Sequence, residues 1–208
     1  LGSKYFNKPL GSLTDFGVYS FNGNKIITTS GGGALISADL QMIKQAKFLS
    51  TQARDNFPHY EHSQIGYNYR LSNVCAAIGL GQLEVLEERV YRRREIFEFY
   101  KQELSCITEI SFVEELEGFF SNRWLTTILI SEESKINRED LRLMLESNNI
   151  EARPLWKPMH LQPVFSSCMY FGANNSEYLF KYGLCLPSGS NMNDEELYRI
   201  VNLIKKAF

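Results

Sequence analysis

The clearest periodic signal lies near the C-terminus, where Leu197, Ile200, Val201 and Ile204 form an apolar stripe at helical spacing. Asn193 with Glu196 before that stripe has the form of a capping box, so a helix is expected from about residue 193. Leu71, Cys75, Ile78, Gln82, Leu86 and Val90 fall near one helical face, widened by Leu80 and Leu83. With Ser72 or Asn73 as N-cap, they predict one helix running to about Leu104. Glu84, Glu87 and Glu88 followed by Arg89, Arg92, Arg93 and Arg94 add acid-to-base pairs, and the arginine run reads as a solvated face. Gly79 and Gly81 are unusual inside such a helix, each costing about 1 kcal/mol relative to alanine. With Ala76 and Ala77 they leave a slim surface suited to close approach by another element.

Met42, Ile43, Ala46 and Leu49 mark a further helix that begins at Asp39, a cap or first-turn acid. Ile136, Leu141, Met144 and Leu145 place another over residues 134–148, and residues 176–182 read as a short one ended by Gly183. Residues 17–21 and 33–37 read as two short paired strands. Residues 106–112 and 125–130 read as strands around a loop at 114–118, with an extended piece at 150–154. Residues 1–17 read as loop with one short extended piece, residues 52–64 as loop, and residues 156–165, WKPMHLQPVF, as an aromatic, proline-containing loop. A domain change is placed at residues 90–104. The order of elements beyond it suggests a small α+β domain.

Composition narrows the function classes. Twenty-two basic against 24 acidic residues give no electrostatic case for nucleic acid. Fourteen Phe and 11 Tyr suit a packed core and an extensive interface. No apolar run reaches membrane-spanning length and the N-terminus has no signal-peptide pattern, so a cytoplasmic protein is expected. Cys75, Cys106, Cys168 and Cys185 are scattered, with no CxxC, and read as buried small side chains in a reducing compartment. His59 and His62 are three apart, but Pro58 argues against a helix there and no third ligand follows, so no metal site is expected.

Three stretches carry candidate chemistry. Residues 19–34 read YSFNGNKIITTSGGGA, in which the turn at Asn22, Gly23 and Asn24 fixes Lys25 between two elements. A lysine held so can act as an amine nucleophile, and Ser20 offers a hydroxyl to an anion. The alternative is a surface hairpin with a solvated lysine. Gly31, Gly32 and Gly33 lack phosphate-loop and dinucleotide spacing. In GYNYR (66–70), Asn68 and Arg70 lie two apart on an extended piece and point the same way, able to clamp an anion or simply to enter the next helix. Arg153, Trp156, Lys157 and His160 set aromatic rings beside cations, which suits a nucleotide-sugar. Trp124 fits the same cleft or a core position.

The first stretch resembles the lysine loop of the DegT/DnrJ/EryC1/StrS family, pyridoxal-phosphate-dependent sugar aminotransferases of fold type I. The GYNYR segment resembles that family's GYNxR motif, and residues 153–165 its RPxWxPxHxQPxF region. The resemblance covers essentially the whole chain but only the back half or so of the family's. It implies an α/β fold in which residues 1–90 finish the large cofactor-binding domain and residues 91–208 form the small one. Lys25 would hold pyridoxal 5'-phosphate and Ser20 its phosphate, while Asn68 would reach the neighbouring subunit's site. Tyr67 and Arg70 would lie at the interface of an obligate homodimer with composite active sites. Asn24, Trp124, Arg153, Trp156, Lys157 and His160 would lie on the substrate side. The implied reaction moves an amino group from glutamate to a keto-sugar nucleotide, with UDP-4-keto-6-deoxy sugars of bacterial surface-glycan routes the closest wording. A lysine rather than a histidine at position 25 supports transamination over dehydration. The chain also reads as the interior of a longer protein. In the family, the aspartate that pairs with the pyridine nitrogen and a phosphate-holding turn lie upstream. Two other readings stand beside this one: a fold type I homologue that binds cofactor or sugar nucleotide without turnover, and an unrelated two-layer anion-binding module.

Overall fold

The computed structural model describes residues 1–208. The chain divides into two compact units, Leu1–Val90 with Leu116–Asn122, and Tyr91–Glu115 with Arg123–Phe208. None of its helices is long and apolar enough to cross a membrane.

Unit 1 contains two small sheets and two helices. Strands β1 (Lys4–Tyr5) and β2 (Lys8–Pro9) form a hairpin whose tip residues, Phe6 and Asn7, both have positive φ. Such turns match the right-handed twist of the strands they join. The segment Leu116–Asn122 returns to this unit and adds a third strand (β6, Phe119–Phe120), with the Tyr5 ring 4.6 Å from that of Phe119. The sequence reads as loop here apart from one short extended piece, because strands of two residues carry no readable alternation. β3 (Gly17–Ser20) pairs antiparallel with β4 (Gly33–Ile36), and Ser20 faces Gly33.

Helix α1 (Leu40–Ser50) starts as expected: the Asp39 carboxylate accepts from the N–H groups of Gln41 and Met42. The single helix expected over 71–104 is two. α2 (Asn73–Glu84), capped by Ser72, stops at Val85, which has φ −107° and ψ 13°, and α3 (Leu86–Glu103) begins anew. Two glycines and a β-branched residue make this the weakest stretch of the helical run. Neither α1 nor α2 buries a single residue.

Unit 2 is an antiparallel sheet of order β5-β7-β9-β8 packed with helices: β5 is Ile110–Phe112, β7 Thr126–Ile130, β8 Arg153–Pro154 and β9 Gly183–Leu186. β7 alternates as an amphipathic strand should, with Thr126, Ile128 and Ile130 buried. β9 lies between β7 and β8 and is buried throughout. It escaped the sequence reading because a short, wholly buried strand shows no alternation. Helices α4 (Arg138–Ser147) and α6 (Asp194–Ala207) both open on capping boxes, Asn137 with Asp140 and Asn193 with Glu196. One core joins Ile96, Tyr100 and Leu104 of α3, Leu141 and Leu145 of α4 and the α6 stripe to Ile128, Ile130, Leu184 and Leu186. The Tyr100 hydroxyl donates to Pro187 O at 3.0 Å inside this core. Of the four cysteines expected to be buried only Cys185 is, and burial pushes its thiol up to about 11; Cys75 is half-buried, and Cys106 and Cys168 are exposed.

The arginine run of α3 departs from the solvated face read from sequence. Arg93 is buried and donates to the Trp124 carbonyl, and Arg94 holds Glu115 through two hydrogen bonds of 2.6 and 3.1 Å. Arg92 is half-buried as well, pairing with Glu95 three residues on and donating to the distant Met192 O at 2.9 Å.

Candidate active site

In unit 1, β3 ends at Ser20 and the chain folds back on itself through residues 21–32. Phe21 N–H donates to Gly32 O and Thr29 N–H to Phe21 O, both at 3.0 Å, closing the loop at its neck. Lys25 N–H donates to Asn22 O at 3.0 Å, tightening the tip into the turn expected from Asn22, Gly23 and Asn24. The Thr28 hydroxyl donates to Phe21 O at 3.1 Å and accepts from Ser30 N–H at 2.9 Å, while the Thr29 hydroxyl bonds Gly31 O. Ile26 and Ile27, directly after the lysine, are buried and anchor its backbone.

Lys25 is therefore a half-buried amine on a loop closed by hydrogen bonds. Ser20 at the loop's neck is exposed, and its hydroxyl makes no hydrogen bond. The two threonines that close the loop were not singled out by sequence. Their Thr-Thr-Ser setting ahead of the glycines was the available signal.

The glycines serve packing as well as turning. Gly32 has φ +90°, and a Cβ there would lie 2.6 Å from Leu71 Cδ1. A Cβ on Gly79 would lie 2.8 Å from Thr29 Cγ2. The element that the slim face of α2 accommodates is thus the back of the lysine loop. Gly81, by contrast, faces open space.

Asn68 sits on a segment pinned to the end of α1. Tyr67 N–H donates to Leu49 O at 2.8 Å, Gln52 N–H to Tyr67 O at 3.0 Å and Tyr69 N–H to Ser50 O at 2.9 Å. The backbone is extended, as expected, and the rings of Tyr67 and Tyr69 stack on one side at 5.3 Å. Asn68 and Arg70 are both exposed.

Unit 2 holds the other candidates. The rings of Trp124 and Trp156 lie 6.0 Å apart at 37°, Trp124 half-buried and Trp156 exposed. Arg153 is exposed and its guanidinium is engaged by Glu151. Lys157 is exposed, with its carbonyl accepting from Gln162. His160 lies on a single 3-10 turn, Met159–Leu161. Its Nε2 is 3.0 Å from Glu177 on helix α5 (Asn175–Tyr182), and its ring stacks on Tyr170 at 3.7 Å. The structure brings the two tryptophans together, and separately joins His160 to two residues that sequence had not singled out.

The organisation of sheets and helices is that of a fold type I aminotransferase, and solved structures that it resembles include aminotransferases. Helicobacter pylori PseC, an aminotransferase involved in the biosynthesis of pseudoaminic acid, superposes with TM-score 0.91 at 26% identity over 100% of this chain and 57% of that one. TlmJ of Streptoalloteichus hindustanus gives TM-score 0.89 at 25% identity over 98% of this chain and 55% of its own. The sequence profile of the DegT/DnrJ/EryC1/StrS aminotransferase family matches residues 1–205, and the chain belongs to that family. Among curated relatives, Bacillus subtilis EpsN, provisionally named a pyridoxal phosphate-dependent aminotransferase, is 48% identical over 100% of this chain and 54% of its own length. The GDP-perosamine synthase of Vibrio cholerae is 34% identical over 100% of this chain and 57% of its own. The chain spans about half the length of the curated relatives it matches.

Proposed function

We propose that this chain supplies the lysine-bearing part and the small domain, residues 1–90 and 91–208, of a pyridoxal-phosphate-dependent sugar-nucleotide aminotransferase. The observation that carries the reading is Lys25, a half-buried amine on a loop tied at neck and tip, with the uncommitted Ser20 hydroxyl at the loop's neck. That donor set suits the cofactor: an amine for its carbonyl carbon and a hydroxyl for its phosphate. When bound, pyridoxal phosphate supplies an electrophilic carbon for the amino group and a ring that delocalises an electron pair.

The residues of this chain do the rest. Lys25 would hold the cofactor through its carbonyl carbon and, when released, would carry a proton on its Nζ. Ser20 donates to the phosphate. Asn68, exposed on its pinned segment with Tyr67 and Arg70, reaches the site of a second copy in a homodimer whose active sites are composite. Trp124 and Trp156 offer aromatic faces to a nucleotide-sugar, Arg153 and Lys157 positive charge for its diphosphate, and Asn24 and His160 hydrogen bonds on the substrate side. Glutamate is the amino donor and a 4-keto-6-deoxy sugar nucleotide the acceptor. Relatives carry names that span GDP-, UDP- and dTDP-linked sugars. UDP-linked acceptors are the first to test, as part of a bacterial surface-glycan route.

The test is glutamate-dependent amination of UDP-, GDP- and dTDP-linked 4-keto-6-deoxy sugars by the protein at its relatives' length, read by mass spectrometry of the product. Lys25→Ala should lower turnover by about 10²–10⁴-fold, the range for loss of a positioned proton-transfer group. A Lys25→Ala protein that aminates as well as the parent would end this reading.

A further inference from the structure

Glu177 has no role in the site described so far, yet it makes a hydrogen bond to one of that site's residues. His160 Nε2 lies 3.0 Å from Glu177 Oε1, and the His160 side chain is only 16% exposed. A carboxylate accepts and does not donate, so Nε2 carries the proton of this bond. The hydrogen bond at one ring nitrogen sets what the other can do. His160 Nδ1 makes no hydrogen bond in the structure. The ring is also fixed in its plane, stacked on Tyr170 at 3.7 Å and 19°. Tyr170 is itself tied down, its hydroxyl donating to Ala173 O at 2.7 Å. A Cβ on Gly172 would come within 2.7 Å of that same hydroxyl oxygen, so the turn is shaped to admit it.

A carboxylate at one edge and an aromatic ring on one face are more than a loop histidine needs to remain folded. Together they remove the ring's rotation and flip, and leave Nδ1 as its uncommitted polar atom. We infer that Glu177 is a positioning residue that, with Tyr170, holds the His160 imidazole so that Nδ1 meets a hydroxyl of the sugar. A hydroxyl both donates and accepts, so it can meet Nδ1 in either protonation state of the ring. Glu177 sits in the first turn of α5, where the helix dipole favours its negative charge. This inference rests on the substrate-side placement of His160 proposed above.

The chain has three histidines, so ¹⁵N-imidazole NMR of the labelled protein resolves His160 from His59 and His62. The expected signature is an observable Nε2–H on His160 together with ring protons shifted upfield by Tyr170. Glu177→Ala should lose both, and Glu177→Gln, whose amide oxygen still accepts, should keep them. Tyr170→Leu should remove the upfield shift but leave the Nε2–H. If Glu177→Ala leaves both signals in place, the positioning role is overturned. Kinetics of the aminotransfer reaction then test the sugar contact. Glu177→Ala should raise KM for the keto-sugar nucleotide about tenfold, the size of one hydrogen bond, with a smaller change in kcat and with rescue by Glu177→Gln. An unchanged KM beside the expected NMR changes would leave the clasp intact and overturn the substrate-side placement of His160. The two failures are thus separable.

Discussion

Unit 2 and unit 1 differ in whether their apolar residues join into one core. The whole of the continuous core, from Ile96 to Ile204, belongs to unit 2, where sheet and helices close over each other. Unit 1 buries Ile26, Ile27, Ala53 and Val90 but leaves Leu40, Val74, Leu80, Val18 and Ile65 between 65% and 83% exposed. Its helices α1 and α2 are capped and regular yet bury nothing. Capping and hydrogen bonding suffice to shape an element, whereas its free energy comes mostly from the face it covers. Unit 2 has a continuous core of its own, although Val164, Met169 and Phe171 stay 77% to 86% exposed. Unit 1 has the form of a surface built to be covered, and it is the unit that carries Lys25. A surface of this kind is suited to being covered by further protein.

Core truncation is the strongest way to break this comparison. Leu141→Ala and Ile204→Ala in unit 2 should each cost about 2–5 kcal/mol, the range for deleting fully buried side chains. Val74→Ala and Leu80→Ala in unit 1 should cost less than about 0.5 kcal/mol in this chain, as surface changes do. Urea unfolding midpoints measure both, and equal costs in the two units would contradict the contrast. The same unit 1 substitutions should become costly once the covering protein is present.

A second, smaller effect concerns polar burial. Arg93→Ala removes the donor to the Trp124 carbonyl, and Glu115→Ala strips Arg94 of its two-point partner. Each should cost about 1–3 kcal/mol, because a partly buried group is left without its bond. Circular-dichroism melts would show it, and no change in Tm would mean that these arginines are as solvated as their sequence suggests.

The smallest expected effect separates two neighbouring glycines of α2. Gly81→Ala meets open space and should stabilise by about 0.5–1 kcal/mol through helix propensity alone. Gly79→Ala gains the same propensity but places a methyl 2.8 Å from Thr29 Cγ2, so its net effect should be smaller or destabilising. If both stabilise equally, α2 does not brace the lysine loop.

Much of this was legible wherever local chemistry decides the outcome. Asp39, Ser72 and the Asn193–Glu196 box start helices by short-range hydrogen bonds, and the turn before Lys25 follows from Asn22, Gly23 and Asn24. What escaped depends on partners distant in sequence. Arg93 and Arg94 look solvated on their own helix, and only the arrival of Trp124 and Glu115 makes them internal. β9 reads as nothing in particular until β7 and β8 flank it. In the candidate site, the lysine and serine were visible as residue types in a turn. The threonines that close the loop, the contact of Gly79 with Thr29 and the Glu177–His160 bond were not, since each joins segments that sequence does not place side by side.

The most direct test of the central claim is to add pyridoxal phosphate to the protein, reduce with borohydride, digest and map the pyridoxyl group by mass spectrometry. A single modified site, Lys25, is expected, with no modification at that peptide in Lys25→Ala. A label spread over several surface lysines, or concentrated on any other one, would contradict it.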